Sequence, residues 1–425
     1  MLSLRFIREN TRLVEEGALK KGERVDVGEL LRLDKTRREL LSRLGRLKHQ
    51  KNLSSERIGR LKRRGQDIMG HLEETSKVAG AIKELDREVK VYEDRIRGLQ
   101  MSIPNPPHWD VPLGEDARSN LLLRECAHVR EFDFQPLPHW EIAERLGIID
   151  FKRASKVSTT RFAICRGAGA RLERALVNFM LDLHTSEHGY TEVHPPTLVK
   201  AHSLVGTGQL PKWEEAMFRC ERDDLYLIPR GEVPLVNLHR GEVLDGRMIP
   251  ISYVAATACY RREAGSYGRE VRGLARQHQF DMIELVKLTR PEDSYRQHDL
   301  MLSHAEDVLI RLELPYRVNL LCTGELSFAA DKSYSLEVLS AGTGKWLEVS
   351  TVSHFGDFQA RRANIRFRDD LDSGSNYLHT MSGSGLAVPR VFIALLEDYQ
   401  LPGGGVRVPP VLRPYMGGME EIVPS

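Results

Sequence analysis

The stretch "ACYRREAGSYGREVRGLARQHQFDMIE", Ala258 to Glu284, carries five arginines (Arg261, Arg262, Arg269, Arg272 and Arg276), with Glu263 and Glu284 among them. It sits between "ISYVAATACY" and "HQFDMIELVKL". Both runs are rich in residues that suit a pleated surface, so the pattern predicts two strands joined as a hairpin. A guanidinium presents a planar fork that grips phosphate with two hydrogen bonds. Phosphate is therefore the ligand that best accounts for clustered arginines beside carboxylates. A carboxylate there can hold a purine's exocyclic amine, an α-ammonium or a magnesium ion, and Phe280 offers a face on which a base can stack. The plain alternative is a surface hairpin with exposed ion pairs, which stabilise little. Composition alone does not separate the two.

Outward from the hairpin, the 425 residues hold enough chain for two or three domains and a large core. Hydrophobic residues make up 41% and charged residues 29%, ordinary for a soluble globular protein, and a net charge of +2 says little about partners. Five cysteines (Cys126, Cys165, Cys220, Cys259, Cys322) show no C-x-x-C spacing. That argues against a zinc site or a disulfide framework and fits a reducing, cytoplasmic setting. No apolar run is long enough to span a bilayer, so no membrane is expected.

Residues 28 to 100 read differently. They lack proline, and apolar residues recur at steps of three and four: Leu30, Leu33, Leu40, Leu44 and Leu47, then Ile82, Leu85, Val89, Tyr92, Ile96 and Leu99. Gly65 interrupts the pattern. Two long helices folded back as an antiparallel coiled-coil hairpin are expected, each about 50 Å long at 1.5 Å per residue. Leu30 to Arg64 holds 13 Lys/Arg against 3 Asp/Glu, a surplus of +10, whereas Gln66 to Gln100 holds 6 against 8. A one-sided basic arm suits a phosphate backbone, and equally a solvated face. Pro104, Pro106 and Pro107 end the arm. This gives an N-terminal domain at 1–105 and a second at 106–425. In the second, a helix is expected over Gly169–Gly189, short strands after it, and a last helix across "GLAVPRVFIALLEDYQ". Together these predict an α+β fold with an antiparallel sheet.

Further segments follow in a fixed order: "GTGQLPKWEE" (206–215), "LYLIP" (225–229) with Glu232-Val-Pro-Leu, "REAG", "RGLARQHQFD", "CTGELSFAADKSY" (322–334), "DFQARRANIRFR" (357–368) and "GSGLAVPR" (383–390). The hairpin resembles motif 2 of a class II aminoacyl-tRNA synthetase. The whole order, arm included, resembles a seryl-tRNA synthetase. The resemblance implies a class II antiparallel sheet with flanking helices and a homodimer through the motif 1 helix and the segment around Pro195 and Pro196. It implies ATP with Mg2+, serine as the amino-acid substrate, and a serine-type tRNA with a long variable arm, with tRNA-Sec left open. Arg261, Glu348 and Arg390 match the catalytic positions, Arg261 on the α-phosphate and Arg390 on the γ-phosphate. The ATP set is Arg261, Arg262, Glu263, Phe280, Glu348, Val349, Ser350, Thr351 and Arg390, with Glu263 on the adenine amine and Phe280 stacked on adenine. Glu348 and Thr351 match the metal segment. Arg230, Gly231, Glu232, Glu284 and Ser384 fall at the amino-acid pocket, and Tyr267 to Arg276 at the loop that meets the tRNA acceptor end.

The departures from the family pattern gather around the amino acid. Arg230-Gly231-Glu232 stands where the family reads Thr-Ala-Glu or Thr-Ser-Glu, and His354, Ser382 and Ser335 stand where it has Asn, Asn and Asp. Three readings follow: a serine–tRNA ligase with a divergent pocket, a paralogue that keeps ATP and tRNA but has changed or lost serine activation, and a non-catalytic RNA-binding protein. The extent of the resemblance favours the first. Arg230 has two expected placements, paired with a pocket carboxylate or turned out to solvent, and pairing is the one expected.

Overall fold

The computed structural model describes residues 1–126, 129–263, 273–370 and 372–424. The chain forms two compact units, one of Met1–Leu19 with Glu23–Pro104, the other of Lys20–Gly22 with Asn105–Ser425.

The first unit holds α1 (Leu4–Glu9), α2 (Thr11–Lys20, whose last residue falls to the second unit), α3 (Val27–Arg63) and α4 (Met69–Ser102). Asp26 caps α3 by accepting from Glu29 N at 2.7 Å. Gly65, at φ +66°, turns the chain between the long helices in the left-handed region that glycine favours. Their pairing is antiparallel: Arg95 bonds Glu29 at 3.0 Å, and Lys48 bonds Asp86 at 3.2 Å. Leu44, Ile82 and Leu85 pack in the seam between them. The apolar spacing missed Asp34, which is fully buried in α3 and neutralised by Arg8, Arg37 and Arg38.

The second unit is built on an eight-stranded sheet. Numbered along the chain, its strands are β1 (Leu121–Cys126), β2 (Thr191–Glu192), β3 (Ile251–Tyr260), β4 (Gln279–Thr289), β5 (Tyr316–Leu320), β6 (Lys332–Ser340), β7 (Lys345–His354) and β8 (His379–Ala387). Their spatial order is β1-β5-β6-β7-β8-β4-β3-β2, antiparallel except for the short β2 against β3. This is the α+β class with an antiparallel sheet that the sequence predicts. The hairpin strands β3 and β4 pair from Ile251↔Leu288 to Tyr260↔Gln279.

Two helices fix the large core on this sheet. The first, α5 (Ala168–Ser186), places Leu172, Ala175, Leu176, Phe179, Met180 and Leu183 on one buried stripe. The second, α6 (Val388–Asp398), follows β8 directly. The last helix is therefore shorter than expected: Gly385 to Ala387 are strand, and the helix starts at Val388. Pro389 explains the start, since its missing N–H costs nothing in a first helical turn.

Candidate active site

Strands β3, β4, β7 and β8 and the start of α6 converge on a cavity of about 180 Å³ lined by Arg230, Arg261, Glu263, Phe280, Glu348, Val349, Ser350, Thr351, Ser384 and Arg390, among others. A neighbouring cavity of about 630 Å³ shares Arg276, Glu348 and Arg390 with it. The smaller space is tight for a nucleotide, while the larger lies within the roughly 300–1,000 Å³ usual for small-molecule sites.

Arg261 leaves the end of β3 and lies 5.0 Å from the centre of the Phe280 ring, with Nε donating to Pro229 O at 3.2 Å. Burial, and then Arg230, pull its pKa below the usual arginine value. A cation held in a dry place without a carboxylate hydrogen bond gains most from an incoming anion. Glu263 takes a left-handed backbone, φ +43°, and its Oε2 lies 3.4 Å from Arg276 Nη1.

On β7, Leu336 pairs Ser350 but Glu337 pairs Glu348, so Val349 is an extra residue in the strand. In a regular strand, positions three apart face opposite ways; one inserted residue brings them to the same side. Thr351 Oγ1 accordingly donates to Glu348 Oε1 at 2.9 Å. A second bulge, between Ser384 and Leu386 on β8, lies beside the cavity-lining Ser384. Arg390, in the first turn of α6, donates to Glu348 O.

The end expected to take the amino acid is closed from within. Arg230 Nη2 donates to Glu284 Oε1 at 2.8 Å, and its Nε lies 3.8 Å from Glu232 Oε2. Its side chain is 21% exposed; those of Glu284 and Glu232 are 0% and 3% exposed. Burial opposes the charge on Arg230, but Glu284 and then Glu232 more than offset it and hold its pKa above the usual value. Burial raises the Glu232 carboxyl, with Arg230 opposing. Gln359 Nε2 also donates to Glu232. Gly231 is required here by close approach: a Cβ would stand 2.9 Å from Glu284 Cβ and 3.0 Å from Thr257 Oγ1.

The cavity thus gathers Arg261, Glu263, Phe280, Glu348 to Thr351, Ser384, Arg390 and Arg230. It does not gather four other residues expected at the site. Glu232 and Glu284 lie behind Arg230, and Gly231 packs on Glu284. Arg262 is exposed, its guanidinium 5.9 Å from the Phe218 ring. Of the expected acceptor-end loop, Tyr267 to Arg272 lie outside the described residues, as does Arg269 with them. Arg276, expected in that loop, lines both cavities. Leu274, Gln277 and Met282 also line the first and carried no sequence signal beyond their place in the quoted stretch.

A magnesium ion takes hard oxygen ligands and is usually held by one or two carboxylates together with substrate phosphates. Glu348, with Thr351 bonded to it, fits that role. Among the described residues no group of three or more His, Cys, Asp or Glu forms an all-protein cage.

The profile "tRNA synthetase class II core domain (G, H, P, S and T)" matches residues 217–399, the segment that carries the cavity, so the class is that of the class II aminoacyl-tRNA synthetases. "Seryl-tRNA synthetase N-terminal domain" matches residues 1–107. Two proteins named serine–tRNA ligase, from Desulforapulum autotrophicum and Citrifermentans bemidjiense, are 48% and 49% identical over 99% of this chain and 99% and 100% of their own lengths. A crystal structure of seryl-tRNA synthetase from Pyrococcus horikoshii complexed with ATP superposes with a TM-score of 0.93, at 36% identity and full coverage of both chains. The chain belongs to the serine–tRNA ligase family.

Proposed function

We propose that this chain activates serine with ATP and transfers it to tRNA. The observation that carries the reading is the convergence of Arg261, Glu263, Phe280, Glu348 and Arg390 on one cavity at the end of the β3–β4 hairpin. In the first step the serine carboxylate oxygen attacks the α-phosphorus of ATP; the bond to the β-phosphate oxygen breaks and pyrophosphate leaves. In the second, a ribose hydroxyl of the tRNA's terminal adenosine attacks the acyl carbon and AMP leaves. Positioning and charge neutralisation supply most of the acceleration.

Arg261 neutralises the α-phosphate and orients the attacking carboxylate. Phe280 stacks on adenine and Glu263 accepts its amine. Arg390 holds the γ-phosphate end. Mg2+, when bound, neutralises phosphate charge beside Glu348 and Thr351. Ser384 faces the serine, and the ammonium reaches Glu284 once Arg230 yields it. Arg262, exposed beside the Phe218 ring, is better suited to RNA than to ATP.

The N-terminal unit, 1–105, is the tRNA-binding domain and 106–425 the catalytic one. The +10 surplus on Leu30–Arg64 suits the backbone of a serine tRNA's long variable arm, read by shape and charge. The homodimer forms through α5 and the Pro195–Pro196 segment. Five free thiols suit the cytoplasm, and no described helix is long and apolar enough to cross a membrane. Serine-dependent ATP–pyrophosphate exchange tests the first step without any tRNA. Exchange that does not respond to serine would overturn the reading.

A further inference from the structure

The segment between Val157 and α5 plays no part in the chemistry above, yet it bonds both chains of the nucleotide hairpin. Arg161, itself at φ +66°, accepts at its carbonyl from His278 N at 3.0 Å. Its Nη1 donates to Glu263 O at 2.7 Å. Between these two bonds, Arg261 N donates to His278 O at 2.9 Å, and His278 Nδ1 lies 3.0 Å from Arg261 O. One residue therefore closes the end of the hairpin, with its backbone on one chain and its side chain on the other.

The residue it holds is in the left-handed region as well. Glu263 sits at φ +43°, which a residue with a side chain adopts only when its surroundings impose it. That backbone decides where the Glu263 carboxylate points relative to the Phe280 ring, and both line the same cavity. The far side of the hairpin is held independently. His139 Nε2 accepts from Leu274 N at 3.1 Å, and His139 Nδ1 lies 2.9 Å from Glu397 Oε1, a buried carboxylate on α6. Loss of the Arg161 contact therefore releases Glu263 while Leu274 and Arg390 keep their anchors.

We propose that Arg161 is a positioning residue that sets the enzyme's preference for adenine, by fixing the backbone from which Glu263 reads the 6-amino group. The proposal rests on the reading of Glu263 as the acceptor for that amine. A role in packing alone would alter stability but not the choice of base.

The test is steady-state exchange in the full-length protein with ATP and with purine riboside triphosphate, which lacks the 6-amino group. Arg161→Met and Arg161→Gln remove the reach to the Glu263 carbonyl; Arg161→Lys keeps a donor and the charge. Glu263→Met, which removes the acceptor oxygens at similar length, is the control for the underlying reading. Either of the first two variants, if folded by circular dichroism, is expected to lose at least about tenfold of the preference for ATP, the worth of one good hydrogen bond, chiefly through KM. Arg161→Lys is expected to recover most of it. If Glu263→Met loses the preference while the folded Arg161→Met or Arg161→Gln keeps it within about twofold, the positioning role is overturned. If Glu263→Met itself keeps the preference, the reading of Glu263 falls and takes the proposal with it.

Discussion

Replacing Arg230 by threonine is the perturbation whose size follows most directly from the structure. The Arg230 guanidinium lies 2.8 Å from Glu284 and 3.8 Å from Glu232, and both carboxylates are sealed behind it. On the proposed function, a serine ammonium must take Glu284 from a group already bonded to it. A hydrogen bond to a charged group contributes about 1.5–3 kcal/mol, or roughly ten- to a hundredfold in affinity. Arg230→Thr should therefore lower the KM for serine in ATP–pyrophosphate exchange by about that factor, with kcat changed less, because ground-state binding is what improves. The gain should be incomplete, since Ser382 and His354 also depart from the family pattern. The same change leaves two buried carboxylates without their cation. Removing one partner of a buried pair costs about 3–5 kcal/mol, so the variant should melt earlier than the parent and be stabilised more by added serine. A serine KM that stays the same or rises, with ATP affinity intact by calorimetry, would refute the competition between Arg230 and the substrate ammonium.

Three further outcomes are expected. Arg390→Ala should weaken ATP binding at least about tenfold by calorimetry, since a charge-assisted phosphate contact is lost; unchanged affinity would remove Arg390 from the γ-phosphate. Neutralising Arg60, Lys62, Arg63 and Arg64 on the arm should weaken tRNA binding and flatten its salt dependence by about 0.7–0.9 per lost phosphate contact, with serine-dependent exchange unchanged; an unaltered salt slope would give the arm another role. Stability should fall with acid: burial, and then His354, hold His298 down at about 3, and burial holds His379 at about 4, both lowered from 6.5. Their neutral forms favour the fold above pH 6.5, and that contribution is lost as pH drops below it, at up to about 1.4 kcal/mol per pH unit for each ring. Urea titrations at pH 7.5 and 5.5 should show a shallower pH dependence in His298→Leu; the parent's slope in that variant would exclude His298.

The arm and the hairpin were legible because their signals are periodic. Heptad leucines and alternating strand residues state which face is inward, and the antiparallel pairing follows from the short connection at Gly65. Asp34 was not legible, because a buried carboxylate in an apolar seam is tolerable only once its cations are in place, and one of the three, Arg8, lies on another helix. The meeting of Glu348 with Thr351 was hidden for a related reason. Plain alternation puts them on opposite faces, and only the extra residue at Val349 brings them together. Arg230 could be flagged as a departure and its pairing with a pocket carboxylate expected, but which carboxylate it bonds depends on Glu284, 54 positions away on β4. Arg161 showed no pattern at all, since its function lies in two bonds across a turn.

Serine-dependent ATP–pyrophosphate exchange in the unmodified protein is the most direct measurement of the central claim. Exchange that requires ATP and rises with serine to saturation, at a serine concentration well above that needed by Arg230→Thr, is the result expected. ATP binding with no exchange at any serine concentration, in the parent and in Arg230→Thr alike, would contradict serine activation at this site.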